Sequence, residues 1–163
     1  NNKMSKFFIK KYYEPDLQTK LINHLLKLAN TSIDISDGLI DDLKKLINRQ
    51  KFSFHIFEEK IPVSKTLSQL IRIKKFKKIN ISTRGDDYQI LFTASPFKSR
   101  IIKKISKITG IKITKIGNII SGKNRSKIIN LKDKQIEAKN KGYIHQFWKL
   151  IIVFFIFFCI VRA

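Results

Sequence analysis

Cysteine is almost absent from this chain. Its one copy, Cys159, can form no internal disulfide, and that usage agrees with a reducing, cytoplasmic setting. Carboxylates are scarce too: 12 Asp and Glu stand against 34 Lys and Arg, leaving a net charge of +22 and a pI near 10.2. Such an excess ordinarily points to nucleic acid. Here the lysines are scattered through every segment and accompany abundant isoleucine and asparagine, the mark of nucleotide bias in AT-rich coding sequence. With no zinc-finger spacing, no aromatic RNA-binding pair and no arginine-rich arm, the charge defines no nucleic-acid site. There is no internal repeat, and the beginning of the chain has no signal-peptide pattern. A long apolar run occurs once, at Leu150 to Val161. As a helix it would reach roughly 18 Å at ~1.5 Å per residue, short of the ~30 Å hydrocarbon core. It reads as an interfacial anchor or a translated remnant after a frameshift, with membrane contact through it a lesser expectation than none.

Against that background one segment stands out, Ile33-Asp34-Ile35-Ser36-Asp37-Gly38-Leu39. Ile33 and Ile35 alternate around Asp34 like the end of a buried strand, and Leu39, Ile40, Leu43, Leu46 and Ile47 fall on one helical face. Ser36 or Asp37 is the expected N-cap. Free backbone N–H groups and the positive end of the helix dipole would favour a phosphate there, while Asp34 and Asp37 offer hard oxygens to a divalent cation. The same residues also satisfy a plainer description, a strand end and a helix cap, and the motif alone does not choose between them.

Further landmarks follow in order: Arg84-Gly85-Asp86-Asp87-Tyr88-Gln89-Ile90-Leu91-Phe92, then Ile116-Gly117-Asn118-Ile119, then Gly142 to Phe147. Together with IDISDGL, and with Tyr12 to Pro15 ahead of a leucine-rich helix, they resemble thiamine-monophosphate kinases. Arg84 to Phe92 is similar to that family's GGEDYELLF signature, and the resemblance runs from about Phe7 to Phe147. The wider superfamily includes aminoimidazole ribonucleotide synthetase, but aspartates at Asp34 and Asp37 resemble the thiamine branch.

The resemblance implies transfer of the γ-phosphoryl group of ATP to thiamine monophosphate, giving thiamine diphosphate, with Mg2+ bridging the anionic partners. It places Asp34 and Asp37 as magnesium ligands, Ser36 on the nucleotide phosphates, and Asp86 and Phe147 on the thiamine substrate. Arg84 stands where the family has glycine. Asp86 stands where it has glutamate, shortening the side chain by about 1.5 Å, one carbon–carbon bond. Without the resemblance, Gly85, Asp86 and Asp87 read as a turn. His24, His55 and His145 are isolated from one another and read as packing or surface residues.

At 163 residues the chain suffices for one domain and falls short of the whole kinase. The expected organisation is a linker over 1–15 from a missing N-terminal ATP-binding domain, an α+β domain over 16–147, and a hydrophobic tail over 148–163. That domain is expected to be a mixed β-sheet covered by helices, similar to the C-terminal domain of aminoimidazole ribonucleotide synthetase. Helices are expected at Asp16 to Leu28 (stripe Leu17, Leu21, Leu25, Leu28), Gly38 to Asn48, Ser64 to Ile73, and from Ser95 to Gly110 (stripe Ile101, Ile105, Ile108). Strands are expected at 32–35, 52–56 and 88–93, with Tyr88 and Phe92 both filling core, and around Ile113, Ile119 and Ile128. The missing domain would be supplied in cis or trans, and the resemblance implies a homodimer of the full-length enzyme paired chiefly through it. A catalytically inactive fragment, or a basic binding module that keeps the fold, is the alternative reading.

Overall fold

Alternation along two short strands divides the interior into two cores. The computed structural model describes residues 2–47, 51–85 and 87–137. Within them β1 (Thr31–Asp34) and β3 (Ile90–Thr93) form an antiparallel ribbon in the register Ile33↔Leu91 and Asp34↔Ile90. Successive side chains point to opposite faces. Leu91 therefore joins Ile35 in the larger core, while Phe92 and Ala94 enter the smaller one.

The larger core is closed by α1 (Asn2–Tyr13) through Phe8 and by α3 (Leu39–Leu46) through Leu39, Ile40, Leu43 and Leu46. Further on come β2 (Phe52–Phe57), α4 (Lys65–Lys74) and α5 (Lys78–Ser82), which contribute Phe54, Ile56, Leu67, Ile79 and Ile81. A four-stranded sheet completes this side. Its order is β4 (Gly117–Ser121), β2, β5 (Lys127–Ile129), β6 (Gln135–Ile136), with β2 antiparallel to β4 and parallel to β5. Gly117 lies so close to β2 that a Cβ there would meet the His55 carbonyl oxygen at 2.2 Å. Only glycine fits.

The smaller core joins α2 (Thr19–Leu28) to α6 (Ser99–Thr109) through Leu21, Leu28, Ile102 and Ile105. Two expected stripes are corrected here. Leu17 precedes the first turn of α2 and is 66% exposed. On α6 the inward pair is Ile102 and Ile105, with Ile101 and Ile108 facing out. A 3₁₀ turn at Pro96–Lys98 precedes α6, and the Lys98 ammonium donates to the Lys27 and Leu28 carbonyls at 2.9 and 3.2 Å, tying this turn to the end of α2.

The architecture is α+β, with a mixed sheet and covering helices. Residues 2–13, expected as linker, are helical and carry Phe8 into the core. No strand forms around Ile113, and α5 was not expected. The segment from residue 138 onward, which holds Phe147 and the apolar run, lies outside the described residues, as does Asp86. Among the described residues no helix is long and apolar enough to cross a membrane.

Candidate functional site

The ladder between β1 and β3 continues past both strands. The Ile35 N–H donates to the Gln89 carbonyl and the Tyr88 N–H to the Ile35 carbonyl, both at 2.9 Å. The loop Ser36-Asp37-Gly38 thus leaves the ribbon beside Asp87 and Tyr88. Two sequence landmarks separated by about fifty residues become neighbours.

Gly38 locks that meeting. It adopts φ +110, and a Cβ on it would lie 2.5 Å from the Thr83 carbonyl oxygen, so the loop rests directly on the backbone leading into Arg84 and Gly85. Arg84 follows α5, its N–H donating to the Ile81 carbonyl at 3.0 Å, and takes no left-handed conformation. The close backbone approach falls at Gly38. Tyr88, expected in the core, instead turns through φ +50 and is 43% exposed at the site's rim. Asp87 and Gln89 on either side are buried.

The helix mouth is built differently from the sequence expectation. Gly38, and neither Ser36 nor Asp37, is the N-cap, and no side chain caps from that position. Asp42, in the first turn of α3 and 0% exposed, takes the role from within the helix. Its Oδ2 accepts from the N–H groups of Ser36 and Asp37 at 2.9 Å each and of Gly38 at 3.2 Å. Those amides were expected to be free for a phosphate, and they are taken. Its Oδ1 accepts from Lys45 Nζ at 2.8 Å. Lys45 also donates to Asp37 Oδ2. Those two hydrogen bonds, Asp37 first and then Asp42, raise the Lys45 pKa well above the usual lysine value.

Asp42 was legible as an oddity. Leu39, Asp42, Leu43 and Leu46 share the i, i+3, i+4, i+7 spacing of a buried stripe, so an aspartate stands where the pattern calls for an apolar residue. An acid at an inward position must find partners.

Asp34 at the end of β1 is exposed, Ser36 is half-buried, and the Asp37 side chain is 35% exposed. Two outward carboxylates fit magnesium, which commonly takes one or two protein carboxylates and fills its remaining positions with phosphate oxygens and water. Among the described residues no group of three His, Cys, Asp or Glu side chains gathers at one point. A cation at Asp37 would replace the Lys45 ammonium there.

Fold and loop pair together define an α+β domain that brings an acidic strand-to-helix loop against a second loop about fifty residues further on. Over 145 residues the chain is 32% identical to the thiamine-monophosphate kinase of Buchnera aphidicola subsp. Schizaphis graminum, covering 89% of this chain and 44% of that protein. The structure of AaThiL complexed with AMPPCP and TMP superposes with a TM-score of 0.61 at 26% identity, covering 85% of this chain and 40% of that one. Thiamine monophosphate kinase from Aquifex aeolicus gives a TM-score of 0.55 at 26% identity, over 78% and 40% respectively. No family model matches the chain. The chain is a homologue of thiamine-monophosphate kinases and corresponds to their C-terminal portion. It spans less than half the length of the relatives it matches.

Proposed function

We propose that this chain forms the C-terminal part of a thiamine-monophosphate kinase, transferring the γ-phosphoryl group of ATP to thiamine monophosphate. The observation that carries the proposal is the meeting of the Asp34 to Gly38 loop with the Asp87-Tyr88 strand entry, in a chain similar to a protein complexed with AMPPCP and TMP. Phosphoryl transfer asks a protein mainly for alignment and charge neutralisation. Asp34 and Asp37 would hold Mg2+, the Ser36 hydroxyl would contact the nucleotide phosphates, and Asp86 and Phe147 would contact the thiamine substrate. Bound magnesium would supply positive charge to the phosphoryl oxygens. The residues themselves do the remainder: Gly38 seats the loop on Thr83, Asp42 fixes its backbone, and the β1–β3 ribbon holds both landmarks in register.

A first domain, supplied in cis or trans and pairing two copies of the full enzyme, belongs to the same proposal. So do the boundaries 16–147 for the C-terminal, substrate-side domain and a cytoplasmic location. The test is reconstitution with the N-terminal portion of a homologous kinase, followed by measurement of Mg2+- and ATP-dependent thiamine diphosphate formation. Product should form with the native chain and drop by a hundredfold or more, on the order expected for a lost metal ligand, with Asp37→Ala. Equal turnover by that variant overturns the metal assignment. A folded, assembled pair that makes no product favours the inactive-fragment reading.

A further inference from the structure

We infer that Asp42 is a positioning residue that sets the sign of this site, consuming the loop's anion-binding amides so that the loop backbone offers phosphate no nest and its side chains receive a cation. The inference rests on the reading that Asp34 and Asp37 take the divalent cation.

An uncapped helix start exposes N–H groups and the positive end of a dipole, which is why such places bind phosphate. Three consecutive amides converging on one point make an anion nest. In this chain the Ser36, Asp37 and Gly38 amides converge on a single oxygen, Asp42 Oδ2, at 2.9, 2.9 and 3.2 Å. The nest is therefore filled from inside by a carboxylate with no solvent exposure. Its second oxygen is satisfied by Lys45, so the buried charge is fully paired. Nothing of that nest is left for an external anion. With the amides drawn inward, the loop's outward surface is carried by the Asp34, Ser36 and Asp37 side chains, two anions and a hydroxyl. A nucleotide would reach them through a bound cation and through Ser36.

The test reads the amide resonances of the full chain by NMR, with inorganic phosphate and Mn2+ as separate probes. In the native chain, phosphate should leave Ser36, Asp37 and Gly38 unshifted. In Asp42→Ala the emptied nest should show saturable phosphate shifts at those three amides, and formate should restore the native shifts by refilling it. Mn2+ binding, read as broadening at the loop, should weaken by tenfold to a hundredfold in the variant, as is usual when a residue that orients a ligand is lost, and formate should recover it. Asp42→Asn, which keeps an acceptor oxygen without the charge, guards against a fold lost to Asp42→Ala; its Ser36 and Asp37 amides should exchange with solvent about tenfold faster.

Saturable phosphate shifts at the three amides of the native chain overturn the inference whatever the variants do. Native exchange protection in Asp42→Asn, together with undiminished Mn2+ broadening, overturns it as well. If Mn2+ broadens nothing near Asp34 and Asp37 in the native chain reconstituted with the N-terminal portion, the metal reading fails on its own, while the phosphate and formate arms still decide the role of Asp42.

Discussion

Two helices of this chain begin in contrasting ways. At α4 the Ser64 hydroxyl accepts from the Leu67 N–H at 3.1 Å, the ordinary cap three residues ahead. At α3 the cap position is a glycine with φ +110, and the carboxylate comes from Asp42, inside the helix. The first arrangement uses up the side chain that precedes the helix. The second releases Asp34, Ser36 and Asp37 from capping, at the cost of burying an acid. The accepting side chain comes from ahead of the helix at α4 and from inside it at α3.

Substitutions can break that contrast. Asp42→Ala should be the most damaging, because it leaves three loop amides without their acceptor and the Lys45 ammonium with Asp37 alone: a loss of about 3 kcal/mol or more in urea unfolding. Gly38→Ala should cost about 2 kcal/mol or more, since φ +110 is strained for a side chain and its Cβ would press on the Thr83 carbonyl. Should Gly38→Ala prove neutral, the loop is not seated as described. Ser64→Ala should lose only about 1 kcal/mol and leave any metal or nucleotide binding unchanged.

The smallest effects separate two lysines by pH. Lys45 has a raised pKa, so its stabilising contribution is complete below the ordinary lysine value of 10.5 and is lost only as pH climbs through the raised one. Lys78 is the reverse case. Burial lowers its pKa despite the Glu58 and Glu59 charges, while its ammonium donates to the Glu59 and Ile61 carbonyls at 2.9 Å each. Its charged form is penalised in the fold, so its contribution to stability should rise as pH increases from the lowered value toward 10.5. Between about pH 8 and 10 the Lys78→Met midpoint should fall progressively relative to the native chain, while the Lys45→Met midpoint keeps a constant offset and closes on the native one only above the ordinary lysine value. A constant Lys78→Met offset would contradict the Lys78 assignment, and a Lys45→Met offset that changes below about pH 10 would contradict that of Lys45.

How much of this was readable beforehand follows from where the information sits. Leu21 and Leu28, the α3 stripe, and Phe54 and Ile56 announced themselves because one period governs sequence and burial alike. Gly110 ended α6 as its position indicates, in the left-handed conformation. The rotation of α6 was not readable: Ile101, Ile102, Ile105 and Ile108 offer two competing stripes, and the one that packs on Leu21 and Leu28 is set by a helix distant in sequence. The pairing of the two landmarks across the ribbon needed the register Asp34↔Ile90, which local pattern does not carry. Asp42 was visible as an acid in an apolar stripe, but its acceptor role depends on a loop folding back over it. Ser36 and Asp37 looked like caps because cap chemistry and ligand chemistry use the same residue types.

The cation-binding role of the loop is tested most directly by a crystal of this chain paired with the N-terminal portion of a homologous kinase, grown with Mn2+ and a non-hydrolysable ATP analogue. Anomalous density between the analogue's phosphates and the Asp34 and Asp37 carboxylates, with Lys45 swung off Asp37 and Asp42 still bound to the loop amides, is the predicted result. Phosphate oxygens lying directly on the Ser36, Asp37 and Gly38 amides, with no metal at either aspartate, would contradict it.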